Sequence, residues 1–169
     1  MAVFSHGAFV ADPWRALEDD AAIPARGHVV LSLAQWREQR GALTASAQPI
    51  GLALAPGAPL GEIAADLARF ALIALAFPKY TDGRGYSLAH SLRKLGFAGE
   101  LRATGNVLFD QLQLMARCGF DSFEIAHEPT LQLLRNGRRP DVGQFYQPGF
   151  GAEIPAGTRP WARRRTETI

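Results

Sequence analysis

The run ALIALAFP, from Ala71 to Pro78, is the stretch that decides the fold. Its seven apolar residues show no alternation with polar ones and end at a proline, which is typical of a strand buried on both faces. A helix that continues from Leu67 through Leu75 is the alternative, because periodicity alone does not separate the two in a short apolar run. A strand of this kind belongs to a parallel sheet covered by helices.

Further strands and helices alternate around this run. Gly96 and Gly119 each end a predicted helix as a left-handed stop, and a phenylalanine and a strand follow both. Asn106 is predicted to cap the helix that ends at Gly119. Other strands are predicted at His28–Ala34, Ile50–Ala55, 99–105 and 120–126, and helical spacing is found at Leu60–Phe70, Leu88–Leu95, Leu108–Met115 and Thr130–Arg135, with a loop at 42–49.

The alternation of strands and helices predicts an α/β fold with a mainly parallel sheet and right-handed crossovers. The sequence contains about five strand–helix units, too few for a complete eight-stranded barrel, which needs about 250 residues. We therefore expect a single domain that is partial TIM-barrel-like or flavodoxin-like. It divides into an N-terminal segment with the first strand at 1–45, a core α/β region at 46–147 and an irregular basic C-terminal arm at 148–169.

The composition is that of an ordinary globular protein: 169 residues, 47% hydrophobic, 20% charged, with a formal net charge of +2. One cysteine excludes an internal disulfide and a multi-cysteine metal site, so we expect a reducing cytoplasm, no metal and no cofactor. No leader and no membrane-spanning apolar run is recognised. The arginines at 159 and 163–165 predict a solvated tail or a contact with an acidic partner, without a nucleic-acid-binding module.

Polar side chains collect in the loops that follow three of the predicted strands. The carboxyl ends of parallel strands share one edge of a sheet, where α/β proteins bind their ligands. We name the loops at 79–86, 104–110 and 124–127 the carboxyl rim. It carries Lys79, Thr81, Asp82, Arg84 and Tyr86 in the first loop, Thr104, Asn106 and Asp110 in the second, and Glu124 and His127 in the third.

The first rim loop has the composition of a small-anion site. Gly83 and Gly85 would let backbone amides approach an anion. Arg84 would bind it through two parallel hydrogen bonds, and Lys79 would add a point charge. The predicted ligand-binding set is Lys79, Thr81, Gly83, Arg84, Gly85 and Asn106.

The same loop supplies predicted catalytic groups. Asp82 and Asp110 are the acid–base candidates, and Tyr86 is a candidate for proton transfer at a pKa lowered by the nearby basic side chains. A structural turn is the alternative. In that reading, Asp82 bonds the amides at the helix start and pairs with Arg84, while Tyr86 packs its ring.

The segment FPKYTDGRGYSLAHSLRKLGFAGELRATGNVLFDQLQLMARCGFDSFEI, from Phe77 to Ile125, resembles the signature region of a bacterial domain-of-unknown-function family, number nine-three-four. The shared motifs are TDGRGYS, GELRA, DQL and RCGFD. Two positions depart from the family pattern, which has an acid at Asn106 and commonly an arginine at Phe109. If the family's acid at this position acts as a general base, this chain lacks that base at Asn106. Asp110 is then the nearby acid that remains.

Members of that family are commonly labelled oxidoreductases of sulfite reduction, because their genes lie beside those of assimilatory sulfite reductase. The resemblance implies an accessory protein of assimilatory sulfite reduction that docks on sulfite reductase or its electron donor. The small-oxyanion site at Arg84 and Lys79 fits that pathway. A partial barrel could also be completed or covered by a second copy in a homodimer. The alternative is an enzyme that acts on a small anionic metabolite, with Asp82 or Asp110 as the acid–base group.

Overall fold

The apolar run that ends at Phe77 is a strand, as predicted, in a computed structural model that describes residues 1–140. It extends over Phe70–Phe77 and is buried along nearly its whole length. The predicted basic arm at 148–169 lies outside the described residues. The strands are β1 (Ala2–Ser5), β2 (Ala8–Val10), β3 (Trp14–Ala16), β4 (His28–Ser32), β5 (Ile50–Leu54), β6 (Phe70–Phe77), β7 (Glu100–Gly105) and β8 (Ser122–Ile125), and the helices are α1 (Leu33–Ala45), α2 (Arg84–Lys94), α3 (Leu112–Arg117) and α4 (Glu128–Arg135).

All eight strands join one curled sheet, in the order β2-β1-β8-β7-β6-β5-β4-β3. Strands β3 to β8 are parallel and follow the chain order, whereas β1 pairs with β8 and β2 in antiparallel fashion. A doubly wound sheet reverses its strand order at a switch point; these six strands show no such reversal. The prediction of a single α/β domain with a mainly parallel sheet is confirmed, and the sheet has the form of a half barrel.

Three residues join the two opposite edges of this sheet. Strand β2 ends at Val10 on one edge, and β3 begins at Trp14 on the other. Four steps of about 3.8 Å between Cα atoms span at most about 15 Å. Eight flat strands would place their edges about 33 Å apart, at about 4.8 Å per neighbour. The sheet must therefore curl until its edges approach each other, and the linker that contains Asp12 passes over its concave face.

The two faces of the sheet have separate cores. On the convex face, Leu52, Ile73 and Leu101 are fully buried in a cluster that includes apolar side chains of all four helices. On the concave face, a smaller cluster holds Val30, Leu72 and Ala74, against which Trp14 packs. Because successive side chains of a strand point to opposite faces, β6 contributes to both clusters. This double burial explains why its sequence shows no alternation.

Three details of the predicted elements are wrong. Residues 42–45 belong to helix α1 instead of a loop, since Ser32 and Gln35 form a capping box that starts a long helix. The stretch at Leu60–Phe70 forms short 3-10 turns at Leu60–Glu62 and Ala64–Arg69, and Phe70 is drawn into β6. Asn106 is not a helix cap, because the left-handed Gly105 (φ +89°) redirects the chain and the next turn begins only at Phe109.

The N-terminal segment contributes more than the one predicted strand. Strands β1, β2 and β3 precede β4 and belong to the same sheet. Each has only three or four residues, and β2 is exposed throughout. Segments of this length give too little hydrophobic periodicity to identify a strand from sequence.

At the edge opposite the carboxyl rim, hydrogen bonds hold two helix-ending turns together. Gly96 (φ +89°) and Gly119 (φ +106°) adopt the predicted left-handed conformation. Arg93 links the two turns: its Nη1 donates to the carbonyl of Phe97 at 2.7 Å, and its Nε donates to the carbonyl of Gly119 at 2.9 Å.

Within residues 1–140, no helix has the length and apolar character needed to span a bilayer.

Candidate functional site

The structure brings the predicted loops of the carboxyl rim together. Parallel pairing of β6, β7 and β8 places the carboxyl ends of these strands at one edge. The amide of Asn106 donates to the carbonyl of Phe77 at 2.8 Å, and Nε2 of Gln111 donates to the carbonyl of Tyr80 at 2.6 Å. The loops after β6 and β7 therefore form one hydrogen-bonded surface.

Arg84 is bound by Asp82 through two side-chain hydrogen bonds. Nε of Arg84 donates to Oδ1 at 2.9 Å and Nη2 donates to Oδ2 at 2.7 Å, while the amide of Arg84 donates to Oδ1 at 3.2 Å. These hydrogen bonds lower the pKa of Asp82 and raise the pKa of Arg84. The pairing of Asp82 with Arg84 expected for a structural turn is thus observed. An incoming anion would have to displace the Asp82 carboxylate from Arg84.

The two glycines around Arg84 differ in what they do. Gly83 has φ of −66°, which any residue adopts, and no atom lies within 4 Å of the place of a Cβ. A Cβ on Gly85 would lie 2.5 Å from Cζ of Phe77, which is fully buried. Gly85 is therefore required for close packing of helix α2 on β6, and neither glycine has the left-handed backbone of a ligand-binding turn.

Tyr86 packs against the same ring. It makes an edge-to-face contact with Phe77 at 5.3 Å between ring centroids. Burial raises the pKa of Tyr86, and the nearby Cys118 and Asp110 raise it further. The pKa shift therefore has the opposite direction to the one predicted, because desolvation of the phenolate outweighs any nearby positive charge.

The prediction that Thr104 and Glu124 belong to rim loops is wrong, since both lie within strands, β7 and β8, and are half-buried. Four other predicted rim residues are exposed. Lys79, Thr81, Asn106 and Asp110 all lie on the surface. In the described part of the chain, their side chains make no hydrogen bond or ion pair, so they are available for contact with another molecule. No three His, Cys, Asp or Glu side chains among residues 1–140 are grouped as metal ligands.

A second site lies on the concave face of the sheet, in a cavity of about 180 Å³ that we name the concave cavity. Strands β3 to β8 and the linker at Asp12 all contribute to its lining. Apolar and small side chains cover the part formed by β3 to β6, and polar side chains cover the part formed by β7, β8 and the linker. The lining residues are Asp12, Trp14, Ala16, Val30, Ala53, Leu72, Ala74, Arg102, Thr104 and Glu124.

Arg102 is the buried charge of this cavity, with only 4% of its surface exposed. Its Nη1 donates to Oδ2 of Asp12 at 2.8 Å, and its Nη2 donates to Oε1 of Glu100 at 2.8 Å. Nε also donates to Oγ of Ser122 at 3.3 Å, and the Ser122 hydroxyl donates to Glu100. The guanidinium charge is therefore compensated by two carboxylates, which is how a buried arginine is tolerated.

Arg102 and Asp12 are not among the candidate residues predicted from the sequence. The available signal was the alternation in β7, where Glu100, Arg102 and Thr104 occupy one face and Leu101 and Ala103 the other. That pattern indicates a polar concave face. It does not indicate that Asp12 would meet Arg102, because the two residues are 90 positions apart.

Glu124 is a carboxylate that lines the cavity. In the described part of the chain, its side chain makes no hydrogen bond or ion pair. Burial raises its pKa and the charge of Asp12 adds to that effect, while Arg102 and the amino terminus oppose it. Because the pKa is raised on balance, ionisation of Glu124 costs more free energy in the folded protein than in water.

Replacement of Glu124 by glutamine is expected to stabilise the protein at neutral pH. The raised pKa means that the native state binds more protons than the unfolded state between the ordinary and the raised pKa of glutamate, so stability falls as pH rises through that window. Glutamine does not ionise, so the variant does not lose stability across this pH window. Its Tm should equal the wild-type Tm at acidic pH and exceed it at pH 7 in thermal unfolding followed by circular dichroism. Glu38→Gln, at an exposed position of α1, should show no such crossover.

Comparison with known proteins gives one match. The model of a family described as bacterial protein of unknown function, DUF934, matches residues 51–156. No curated protein and no solved structure matches the chain. The matched range is more than half of the chain and includes the rim loops as well as Arg102, Thr104 and Glu124, whereas Asp12 and Trp14 lie before it.

Proposed function

Because the chain belongs to the bacterial family of unknown function DUF934, we propose that it has the role implied by its signature region, an accessory protein of assimilatory sulfite reduction. In this role it docks in the cytoplasm on sulfite reductase or on the electron donor of that enzyme. The proposal treats the curled sheet as a segment of a TIM-like barrel, in which the loops at the carboxyl ends of the strands carry the function. The carboxyl rim is then the docking surface.

The observation that carries the docking proposal is the exposure of Tyr80 on a fixed loop. About half of Tyr80 is exposed, at 52%, although the residue is large and partly apolar. Its carbonyl is fixed by Gln111 at 2.6 Å, so binding a partner would order little additional backbone. Tyrosine is enriched among the residues that dominate binding energy at interfaces.

The charge next to Tyr80 suits an acidic partner. Lys79 is exposed beside it, and Arg84 keeps 66% of its side chain exposed while it is paired with Asp82. Exposed cations at the edge of an interface accelerate association with an acidic protein. Acidic electron carriers have the complementary surface.

A small-oxyanion site at Arg84 and Lys79 is less well supported. An oxyanion would have to replace Asp82 in both side-chain hydrogen bonds to Arg84. The same pairing weighs against the alternative of an enzyme with Asp82 as its acid–base group, because both carboxylate oxygens accept hydrogen bonds from Arg84 and the lowered pKa makes Asp82 a weaker base. Asp110 is exposed and keeps the enzyme alternative open to test by Asp110→Asn.

Replacement of Tyr80 by alanine tests the docking surface. We expect the variant to bind purified sulfite reductase or its electron donor at least about tenfold more weakly than the wild type in calorimetric titration, as for the loss of a dominant interface residue. Leu95→Ala is the matched control, because Leu95 is also 52% exposed but lies at the far end of α2. Equal affinity of all three proteins, or no binding by the wild type to either partner, would contradict the proposal.

A further inference from the structure

We propose that the concave cavity binds a small metabolite that carries a protonated amine, with the Glu124 carboxylate as its counter-ion. The cavity lies on the concave face of the sheet, whereas the docking proposal concerns the exposed loops of the carboxyl rim. The docking proposal depends on Tyr80, Lys79 and Arg84, and the cavity proposal depends on Glu124 and Thr104, so the two can fail separately.

The shape of the concave face indicates a binding cavity instead of a packed core. In a complete TIM barrel, bulky branched side chains fill the interior in layers. Here Ala53 of β5 pairs with Ala74 of β6, and Ala16 of β3 lines the same face, so small side chains leave that space open. Trp14 forms a wall, and Gly51 gives it room, since a Cβ on Gly51 would lie 3.3 Å from the Trp14 ring. A mostly apolar lining with a few polar groups is characteristic of small-molecule sites.

The charges around the cavity favour a cation. Arg102 is already bound by Asp12 and Glu100, so its positive charge is fully offset. Glu124 adds a third carboxylate to this group. The amino terminus adds a second cation near Glu124, and three carboxylates with two cations still leave a net negative charge. An inorganic anion would be repelled there. An ammonium group would give Glu124 the charge-assisted hydrogen bond that it lacks within the described residues.

A second polar contact is available beside Glu124. The pairing of Ala103 with Phe123 places Thr104 and Glu124 side by side on the concave face. The Thr104 hydroxyl makes one long hydrogen bond, at 3.4 Å to the carbonyl of Leu75, and its oxygen can also accept. An amine that carries a neighbouring hydroxyl group could use both side chains.

The volume limits the size of the ligand. A cavity of about 180 Å³ holds about six water molecules at the volume of liquid water, and it is smaller than the sites of about 300–1,000 Å³ that bind drug-sized compounds. A ligand that fits entirely inside the cavity is therefore a metabolite of a few carbon atoms, and a nucleotide or a flavin would extend beyond it.

Two probes of equal size test the proposal on the full chain. Serinol and glycerol differ only at the central carbon, which carries an ammonium group in serinol and a hydroxyl group in glycerol. Titration followed by NMR chemical shifts should show binding of serinol at millimolar concentration, at least about tenfold weaker binding of glycerol, and no binding of sulfite in the cavity. Ethanolamine, a still smaller amine, serves as a second cationic probe.

Variants link the binding to the carboxylate. Glu124→Gln should weaken binding of serinol at least about tenfold, whereas Glu38→Gln, which removes the same charge from an exposed position of α1, should leave it unchanged. A thermal unfolding curve for each variant shows that it is folded. The proposal is overturned if neither amine binds, if glycerol binds as tightly as serinol, if sulfite occupies the cavity, or if Glu124→Gln leaves binding intact.

Discussion

Replacement of Arg102 by alanine is expected to lower the free energy of unfolding by about 3–5 kcal/mol, the loss found when one partner of a buried ion pair is removed. Arg102 is 4% exposed, and its guanidinium offsets the charges of Asp12 and Glu100. Without it, two carboxylates remain at the concave face with no cation bound to them. Urea denaturation of the wild type and the variant at pH 7 measures the difference.

The control for this prediction is Arg84→Ala. Arg84 also forms a bidentate ion pair, but 66% of its side chain is exposed to water. Exposed pairs of this kind contribute little, since solvent screens the charges. If Arg84→Ala were as destabilising as Arg102→Ala, the assignment of Arg102 as the buried ionic centre of the fold would be wrong.

Replacement of Gly85 by alanine is expected to destabilise the protein by about 1–3 kcal/mol, as overpacking of a core does. The added methyl group would lie 2.5 Å from the Phe77 ring. That ring is fully buried and contacts the rings of Tyr86 and Phe120. Helix α2 would have to move away from β6, and the loss would be measured as a lower urea midpoint with an unchanged m-value.

Gly83→Ala is the matched control in the same loop. Its backbone angle suits any residue and nothing lies within 4 Å of the added atom, so we expect no loss or a gain of about 0.4–1 kcal/mol from the less flexible unfolded chain. If the two variants behaved alike, Gly85 would not be a packing glycine. A loss of partner binding in Gly83→Ala without a loss of stability would restore the interpretation that this loop approaches a ligand through its backbone.

The sequence predicts the central strand and the carboxyl rim because both depend on local patterns. An unbroken apolar run that ends at Pro78 favours a buried strand, and the structure decides for it against the alternative of a helix through Leu75. The left-handed stops at Gly96 and Gly119 are confirmed. Helices commonly end at a residue in this conformation, and that residue is usually glycine, so the pattern is local. Once the strands are parallel, the loops after them must share one edge.

The concave cavity could not be predicted because it depends on pairs that are distant in the chain. Asp12 meets Arg102 only when the short linker crosses the curled sheet, and the strands at both ends of that linker are too short to recognise. The packing role of Gly85 could not be predicted for a related reason. A glycine beside an arginine is compatible with an anion site or with a packed ring, and only the position of Phe77 decides between them.

Growth of a deletion strain on defined sulfur sources tests the proposed role in sulfite reduction most directly. The account predicts that the strain grows like its parent on sulfide but fails to grow on sulfite, since the reduction of sulfite to sulfide is the step that needs the protein. The wild-type gene and the Leu95→Ala variant should restore growth on sulfite, and Tyr80→Ala should not. Equal growth on sulfite with and without the gene would contradict the account.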